Sequence, residues 1–240
     1  MISHHGDRNM RIQAIRRLLI LLAGVCLLGF GCSANRKATG PTLAEQVADA
    51  YGIARWDEVN ELKYTFNMQT SARRVSRTWI WEPKEKRVTF QGSGRDNKPI
   101  IITYRTFDVT EDSGESMKRI DRLFMSDQYW FLFPFHLVWD ENITLTEKGG
   151  QPLPIGAGTA RKLVVKFSET DLYFPGDVYE LFIGDGNRIV EWVFRRGGAE
   201  DSFNPATWEG NTAVGPIMVS TEHYRPEGDF HVWFSDVSVK

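Results

Sequence analysis

From residue 62 onward, apolar and polar side chains alternate along most of the chain, and short turns separate the alternating segments. A period of two is typical of a β-strand with one face in water. The first such segment has Leu62, Tyr64, Phe66 and Met68 on its apolar side. The turns are too short to hold a helix between successive strands, which a parallel sheet requires. We therefore expect antiparallel pairing.

Two segments carry a helical pattern instead. Residues 43–53 have apolar side chains three and four positions apart, with Thr42 as a candidate N-cap and Glu45 in the first turn. Residues 116–132 have similar spacing and end in a wholly apolar stretch. We expect a helix or a helical pair there, buried at its C-terminal end and stopped by Pro134.

The last third of the chain returns to strand patterns. Residues 163–167, 178–183 and 188–195 are rich in the apolar and β-branched side chains of strands. Residues 184–187 have the glycine and asparagine composition of a hairpin turn. Residues 149–158, which are rich in glycine and proline, predict the one long flexible loop.

These elements predict an α+β, mainly β fold with roughly nine strands. The apolar face of so many strands can be covered only if the sheet curls round the helices or closes as a barrel. We therefore predict a curved antiparallel sheet or half-open β-barrel wrapped round one or two helices. Residues 43–240 are expected to form a single β-rich domain.

The composition is that of a folded protein with a charge near zero. The chain of 240 residues has 29 Lys+Arg against 31 Asp+Glu, and 12% of its residues are aromatic. Such a chain can bury enough apolar surface to offset its conformational entropy, which excludes intrinsic disorder. A slightly acidic protein lacks the basic surface that nucleic-acid binding needs. We therefore predict no nucleic-acid partner.

The N-terminus has the order of a secretory signal. Arg11, Arg16 and Arg17 precede an uncharged run over residues 18–30, which is shorter than the roughly 20 residues of a membrane-spanning helix. Cys32 follows this run. The segment resembles the bacterial lipoprotein signal, whose cleavage leaves the cysteine as an acylated first residue.

The resemblance implies a signal peptide over residues 1–31 and a lipidated tether over residues 32–42. Ser33, directly after the cysteine, is associated in such proteins with export to the outer membrane. Gly29 departs from the pattern, because leucine is usual three residues before the cysteine. An uncleaved N-terminal anchor helix is the alternative, and either Met1 or Met10 can be the true start.

The predicted central helix ends in the aromatic and proline-containing stretch YWFLFPF, residues 129–135. Together with the lipoprotein signal and the long antiparallel strands, this stretch is similar to LolA/LolB-like envelope proteins, over residues 43–240. The resemblance implies a half-open barrel that curls round helices and leaves an apolar cavity. In the best-known members this cavity carries the acyl chains of lipoproteins. No ligand-contacting residue of that family is matched by position, and fold alone does not fix function.

Aromatic side chains concentrate on one face of the predicted sheet and on the central helix. Those that we predict to contact an apolar ligand are Tyr64, Phe66, Trp79, Trp81, Phe90, Trp130 and Phe133. A curled sheet encloses more volume than one short helix easily fills, which favours a cavity. Ordinary core packing explains the same rings without a ligand, so both interpretations stay open.

The sequence contains no motif for catalysis or for a cofactor. Residues 92–94 lack the spacing of a nucleophile elbow, and residues 156–162 lack the Gly-Lys-Ser/Thr of a phosphate-binding loop. A hydrolytic enzyme would need a nucleophile poised beside a base. We therefore predict that the protein is not an enzyme and that it holds no cofactor.

The histidines of the last predicted hairpin do not favour a metal site. If Arg225 pairs with Phe230, His231 lies opposite Tyr224 and His223 points to the other face of the sheet. Two histidines on opposite faces cannot share an ion. No cysteine or tight carboxylate cluster would complete such a site, so we predict no bound metal.

Two hypotheses for function follow. The first is a non-enzymatic envelope lipoprotein, anchored through Cys32 at the periplasmic face of the outer membrane, which binds or carries an apolar ligand such as a lipid or acyl chain. The second is an envelope interaction or structural module with a solid core and no small-molecule ligand. Such a module would dock a protein partner through a sheet edge or through the loop at residues 149–158.

The lipid anchor gives a direct prediction. Mass spectrometry of the protein from the membrane fraction is expected to show a mature chain that begins at an acylated Cys32. An unmodified Cys32 within a longer, uncleaved chain would contradict this prediction.

Overall fold

The computed structural model describes residues 40–94, 96–226 and 229–240. The predicted signal peptide, Cys32 and the tether up to residue 39 lie outside the described residues. From Gly40 to Lys240 the chain forms one compact unit. In this described part of the chain, no helix is both long and apolar enough to cross a membrane.

Three α-helices are described. They are α1 (Leu43–Ala50), α2 (Glu115–Phe131) and α3 (Phe133–Trp139). The Thr42 hydroxyl accepts a hydrogen bond from the Glu45 N–H at 3.3 Å, and Glu45 Oε2 accepts one from the Thr42 N–H at 2.6 Å. This reciprocal pair is a capping box, which satisfies two N–H groups at the start of α1. The predicted N-terminal helix and its cap are therefore confirmed, although α1 ends at Ala50 rather than at residue 53.

Pro134 does not stop the helical segment as predicted. α2 ends at Phe131, Leu132 has φ −119° and ψ 16°, and α3 begins at Phe133 with Pro134 in its first turn. Proline is tolerated there because the N–H groups of the first turn have no partner within the helix. The helical pair is confirmed, but the break falls at Leu132.

The described residues form thirteen strands, more than the roughly nine predicted. They are β1 (Leu62–Gln69), β2 (Arg74–Glu82), β3 (Arg87–Ser93), β4 (Pro99–Arg105), β5 (Ile143–Pro152), β6 (Thr159–Phe167), β7 (Val178–Ile183), β8 (Ile189–Arg195), β9 (Asn204–Thr207), β10 (Thr212–Val214), β11 (Ile217–Val219), β12 (Glu222–Tyr224) and β13 (His231–Val239). The strands that were not predicted are β5, whose second half falls on the predicted loop at residues 149–158, and short strands near the C-terminus, where segments of three or four residues are too brief to show a clear alternation.

The strands form two large antiparallel sheets and one small hairpin. Their orders are β12-β13-β1-β2-β3-β4, β5-β6-β7-β8-β9 and β10-β11. The large sheets meet beyond β9, where Glu209 and Glu222 form an antiparallel bridge. The curved sheets are not closed into a barrel, and the chain between β4 and β5 contains α2 and α3. The predicted fold class is confirmed.

The aromatic end of the helical pair lies between the two sheets. Phe131 contacts Tyr64 and Phe234 of the first sheet, with ring centroids 4.7 and 4.4 Å apart. Phe133 contacts Tyr179 of the second sheet at 4.9 Å. These rings are buried, so the helical pair joins the two sheets through a shared aromatic core.

The predicted long loop at residues 149–158 is wrong in extent. β5 continues through Gly149 and Gly150 to Pro152, which pairs with Thr159 at the start of β6. The register shifts between Lys148 and Gly150. A β-bulge of this kind accommodates glycine within a strand, so the loop shrinks to residues 153–158.

One ion pair is buried beneath α2. Arg77 on β2 donates from Nε to Asp127 Oδ2 at 2.6 Å and from Nη2 to Asp127 Oδ1 at 2.5 Å. Trp79 Nε1 donates to Asp127 Oδ2 at 2.7 Å. Burial raises the pKa of Asp127, and Arg77 and Trp79 oppose that rise. Three hydrogen bonds therefore tie the middle of α2 to the first sheet.

Loss of this carboxylate is expected to be costly. Asp127→Ala should lower the free energy of unfolding by about 3–5 kcal/mol, because it leaves the Arg77 charge and the Trp79 N–H buried without a partner. Urea denaturation measures the effect. The matched control is Glu58→Ala, which removes an exposed ion pair with Arg55 and should change stability little. Equal effects from the two variants would contradict the prediction.

Candidate functional site

An open cleft of about 1230 Å³ lies between the two sheets, alongside α2 from Glu115 to Trp130. Side chains of β3 and β4 line one side of it, and side chains of β7 and β8 line the other. Small-molecule sites usually measure roughly 300–1,000 Å³. The cleft is therefore large enough for a ligand of substantial length.

One wall of the cleft is a face of α2. Its lining side chains include Ser116, Arg119, Leu123, Ser126 and Trp130. They are three or four positions apart, so they project from the same side of the helix. Two of them are serines, which are too small to fill the space in front of the helix. Apart from Trp130, α2 presents aliphatic, short or charged side chains to the cleft rather than rings.

The floor of the cleft is aromatic. Trp130 contacts Trp192 of β8 edge to face, with ring centroids 4.4 Å apart, and lies 5.8 Å from Phe230. Other apolar side chains that line the cleft are Met68, Phe90, Ile100, Phe174 and Phe194. These side chains come from both sheets and from the loop after β6. An apolar ligand would thus meet carbon surface on several sides.

Charged side chains also line the cleft, and positive charge predominates. Arg119, Arg122, Arg196 and Arg225 oppose the two carboxylates of Glu115 and Asp177. The whole chain, by contrast, has a net charge of −2. The cleft therefore concentrates positive charge on a protein that is otherwise slightly acidic.

The two cleft carboxylates already have partners. Glu115 Oε1 lies 2.6 Å from Lys118 Nζ, and the hydrogen bond to that ammonium group lowers the pKa of Glu115. Asp177 Oδ1 accepts a hydrogen bond from the Gly197 N–H at 2.7 Å, while burial raises the pKa of Asp177. Neither carboxylate is committed to an arginine of the cleft.

Arg225 differs from the other arginines of the cleft. Arg119, Arg122 and Arg196 are exposed, whereas Arg225 is half-buried. Its guanidinium lies over the Phe230 ring, 4.1 Å from the centroid, and its buried Nε has no hydrogen-bond partner in the described part of the chain. Burial lowers the pKa of Arg225. A buried N–H without a partner carries a desolvation cost.

The loop at residues 173–175 contacts α2 at the edge of the cleft. The Tyr173 hydroxyl donates to Asp121 Oδ2 at 2.6 Å, and Phe174 packs on Tyr129 with ring centroids 4.7 Å apart. Burial and the Asp121 carboxylate raise the pKa of Tyr173. The phenol is therefore neutral and able to donate at neutral pH, and it holds the loop at residues 173–175 against the helix.

The structure places the sequence-predicted ligand residues in two environments. Phe90 and Trp130 line the cleft. The other five contact protein side chains in the core: Tyr64, Phe66, Trp79, Trp81 and Phe133. Trp79 and Phe133, for example, are almost wholly buried. Only two of the seven predicted residues thus stand where a ligand in this cleft would touch them.

The arginines of the cleft were not predicted. Arg225 follows β12, Arg119 and Arg122 lie on α2, and Arg196 follows β8. They meet only because the two sheets fold over the same helix. No local spacing in the sequence joins them, although the i, i+3 pair of arginines on an otherwise amphipathic helix is a signal that could have been found.

The predicted register of the last hairpin is confirmed. Tyr224 pairs with His231, and His223 pairs with Val232. His223 is fully buried, whereas His231 is half-buried and bonds to Glu222. Within residues 40–94, 96–226 and 229–240, no group of three or more His, Cys, Asp and Glu side chains could hold a metal ion.

No protein-family model matches the sequence, and no curated protein matches it. Solved structures do align with it. A DUF1329 family protein from Desulfovibrio piger has a TM-score of 0.42 at 10% identity, and the alignment covers 82% of this chain and 92% of that chain. The Mycobacterium tuberculosis lipoprotein LppX has a TM-score of 0.30 at 8% identity, covering 82% and 94%.

A third similar structure is MucB in complex with MucA. Its TM-score is 0.25 at 9% identity, and the alignment covers 82% of this chain and 56% of that chain. All three likenesses are distant similarities of chain path. They do not assign a function to this protein.

His223 lies just behind the cleft floor. Its ring is 5.3 Å from Trp130, and its Nδ1 lies 3.1 Å from the Thr207 carbonyl oxygen, to which it donates. Burial lowers the pKa of His223 to about 3, whereas a histidine in an unfolded chain has a pKa of about 6.5. Between these values the unfolded chain binds a proton that the folded protein excludes.

The folded state should therefore lose stability as the pH falls from about 6.5 towards about 3. We expect His223 to contribute about 1.4 kcal/mol of this loss per pH unit. Urea denaturation of the wild type and of His223→Gln at several pH values isolates the contribution, because the other titrating groups are common to both. Parallel stability curves for the two proteins would contradict the prediction.

Proposed function

We propose that this protein is a non-enzymatic envelope lipoprotein that holds an apolar chain, such as the acyl chain of a lipid, in the cleft beside α2. The observation that carries the proposal is the cleft itself, with its aromatic floor of Trp130, Trp192 and Phe230. Apolar surface in a concave site is the usual feature of a small-molecule pocket. Water held against these rings would be displaced favourably by a hydrocarbon chain.

The cleft is distinct from the packed part of the interior. At the C-terminal end of α2 and in α3, the buried rings of Phe131 and Phe133 contact rings of the first and the second sheet, and the buried ring of Phe135 packs on Trp139. On the side of α2 that faces the cleft, small and charged side chains such as Ser116, Arg119 and Ser126 leave the space open. The same fold thus combines a solid aromatic core with an accessible site.

The family and the location are part of the proposal. The half-open arrangement of the sheets round α2 and α3 supports membership of the LolA/LolB-like family, as does the YWFLFPF stretch at residues 129–135. The signal-like N-terminus and Cys32 support a lipid anchor at the periplasmic face of the outer membrane. No nucleic-acid partner and no catalytic activity are proposed.

A second candidate function is docking of an envelope protein partner. The observation that favours it is β5, an edge strand whose residues are almost all exposed, including the predicted contact residues Gly149 and Gly150. An edge strand presents unpaired backbone groups on which another chain can add a strand. Cross-linking in cells from residues of β5 would capture a partner under this hypothesis, whereas an apolar carrier needs no stable one.

Photo-crosslinking tests the apolar ligand directly. The full-length lipoprotein is reconstituted in phosphatidylcholine nanodiscs and exposed to hexadecanoic acid that carries a diazirine in its chain. Mass spectrometry of the digested protein should find adducts on peptides from α2. Ser126→Trp fills the cleft with a ring and should reduce this labelling about tenfold, because overpacking a site costs about 1–3 kcal/mol.

The matched control is Ser71→Trp, which places the same ring in an exposed turn outside the cleft. Its labelling should equal that of the wild type. Absence of adducts from α2 in the wild type, or equal labelling of the wild type and Ser126→Trp, would contradict the proposed ligand.

A further inference from the structure

The cleft is lined by charged as well as apolar side chains. Four arginines and two carboxylates line it, and both carboxylates have partners, Lys118 for Glu115 and the Gly197 N–H for Asp177. None of the four arginines forms a salt bridge within the described part of the chain. The cleft therefore has spare positive charge.

Arg225 is the arginine of the cleft that stacks on a ring next to the aromatic floor. Its guanidinium stacks on Phe230 at 4.1 Å, and Phe230 lies 5.8 Å from Trp130 on the cleft floor. Stacking on an aromatic ring fixes the plane of a guanidinium and leaves the N–H groups at its edge free to donate. The aromatic floor of the cleft therefore lies next to a guanidinium whose orientation is fixed.

The buried Nε of Arg225 points to a missing acceptor. Folded proteins pair almost all of their buried polar groups, and they pair buried charges in particular. Arg77 shows this behaviour, because its Nε and Nη2 both donate to Asp127. Arg225 Nε has no such acceptor among the described residues. An oxyanion with two oxygens would accept from a guanidinium in the usual paired geometry.

We propose that the cleft takes an anionic amphiphile, with its acyl chain over Trp130 and Trp192 and its carboxylate or phosphate head on Arg225. This inference rests on the proposed function, because it specifies the chemical class of the apolar ligand. Arg119, Arg122 and Arg196 add positive potential at the exposed part of the cleft. A neutral lipid could accept a hydrogen bond from the Arg225 N–H but would leave the guanidinium charge without a counter-ion.

The test compares probes that share one sixteen-carbon chain and differ only in the head group. Diazirine-bearing hexadecanoic acid, hexadecyl phosphate and hexadecanol are added separately to the full-length lipoprotein in phosphatidylcholine nanodiscs. Labelling of α2 peptides is corrected for the labelling of Ser126→Trp, which removes differences in membrane partition. An anionic probe should label the wild type about tenfold more than hexadecanol, since hydrogen bonds to charged groups contribute about that factor or more. The anionic probe that labels α2 more strongly identifies whether the cleft prefers a carboxylate or a phosphate head.

Arg225→Gln should abolish this preference while hexadecanol labelling persists, and Arg225→Lys should restore part of it. The control is Arg73→Gln, which removes an exposed arginine outside the cleft and should leave the preference unchanged. The corrected comparison requires that Ser126→Trp folds, which is checked by its circular dichroism against that of the wild type.

The outcomes separate the two proposals. Equal labelling of α2 by all three probes would overturn the anionic head and leave the proposed function standing. No labelling of α2 by any probe would overturn the proposed function itself. A preference that Arg225→Gln retains, in a protein with wild-type circular dichroism, would overturn the role of Arg225.

Discussion

The architecture depends on the burial of one aromatic helical segment between two sheets. Phe131 meets Tyr64 and Phe234 on one side, and Phe133 meets Tyr179 on the other. Each sheet alone would leave its concave face in water, and the rings of the helical pair cover both faces at once. Because the rings stop towards the N-terminus of α2, the sheets remain apart there and the cleft is left open.

Much of the first sheet could be predicted from the sequence. The side-chain period of a strand depends on local sequence alone, so the alternation from Leu62 to Met68 identified β1 and its buried face. The register of the last hairpin followed from its turn, and the observed pairing of Tyr224 with His231 agrees with it. The capping box at Thr42 was equally local. These features need no knowledge of the rest of the chain.

The cleft could not be predicted in the same way, because it is made by contacts between residues far apart in sequence. Aromatic residues on alternating positions mark a buried face, but they do not say whether protein or ligand covers each ring. Trp79 and Phe90 lie opposite each other on neighbouring strands; Trp79 is bonded to Asp127 in the core, while Phe90 lines the cleft. Which ring is covered depends on where the side chains of α2 become small.

Arg77 and Arg225 differ in whether protein groups satisfy their hydrogen bonds. Arg77 and Asp127 come from elements far apart in the chain, and their hydrogen bonds are complete. This ion pair helps to hold α2 against the first sheet. Because Arg77 Nε and Nη2 both donate to Asp127, neither is available to a ligand. Arg225 stacks on Phe230, yet its buried Nε lacks an acceptor among the described residues. Since burial without a partner is unfavourable, the anionic head proposed for the ligand would supply Arg225 with the acceptor that the described residues do not.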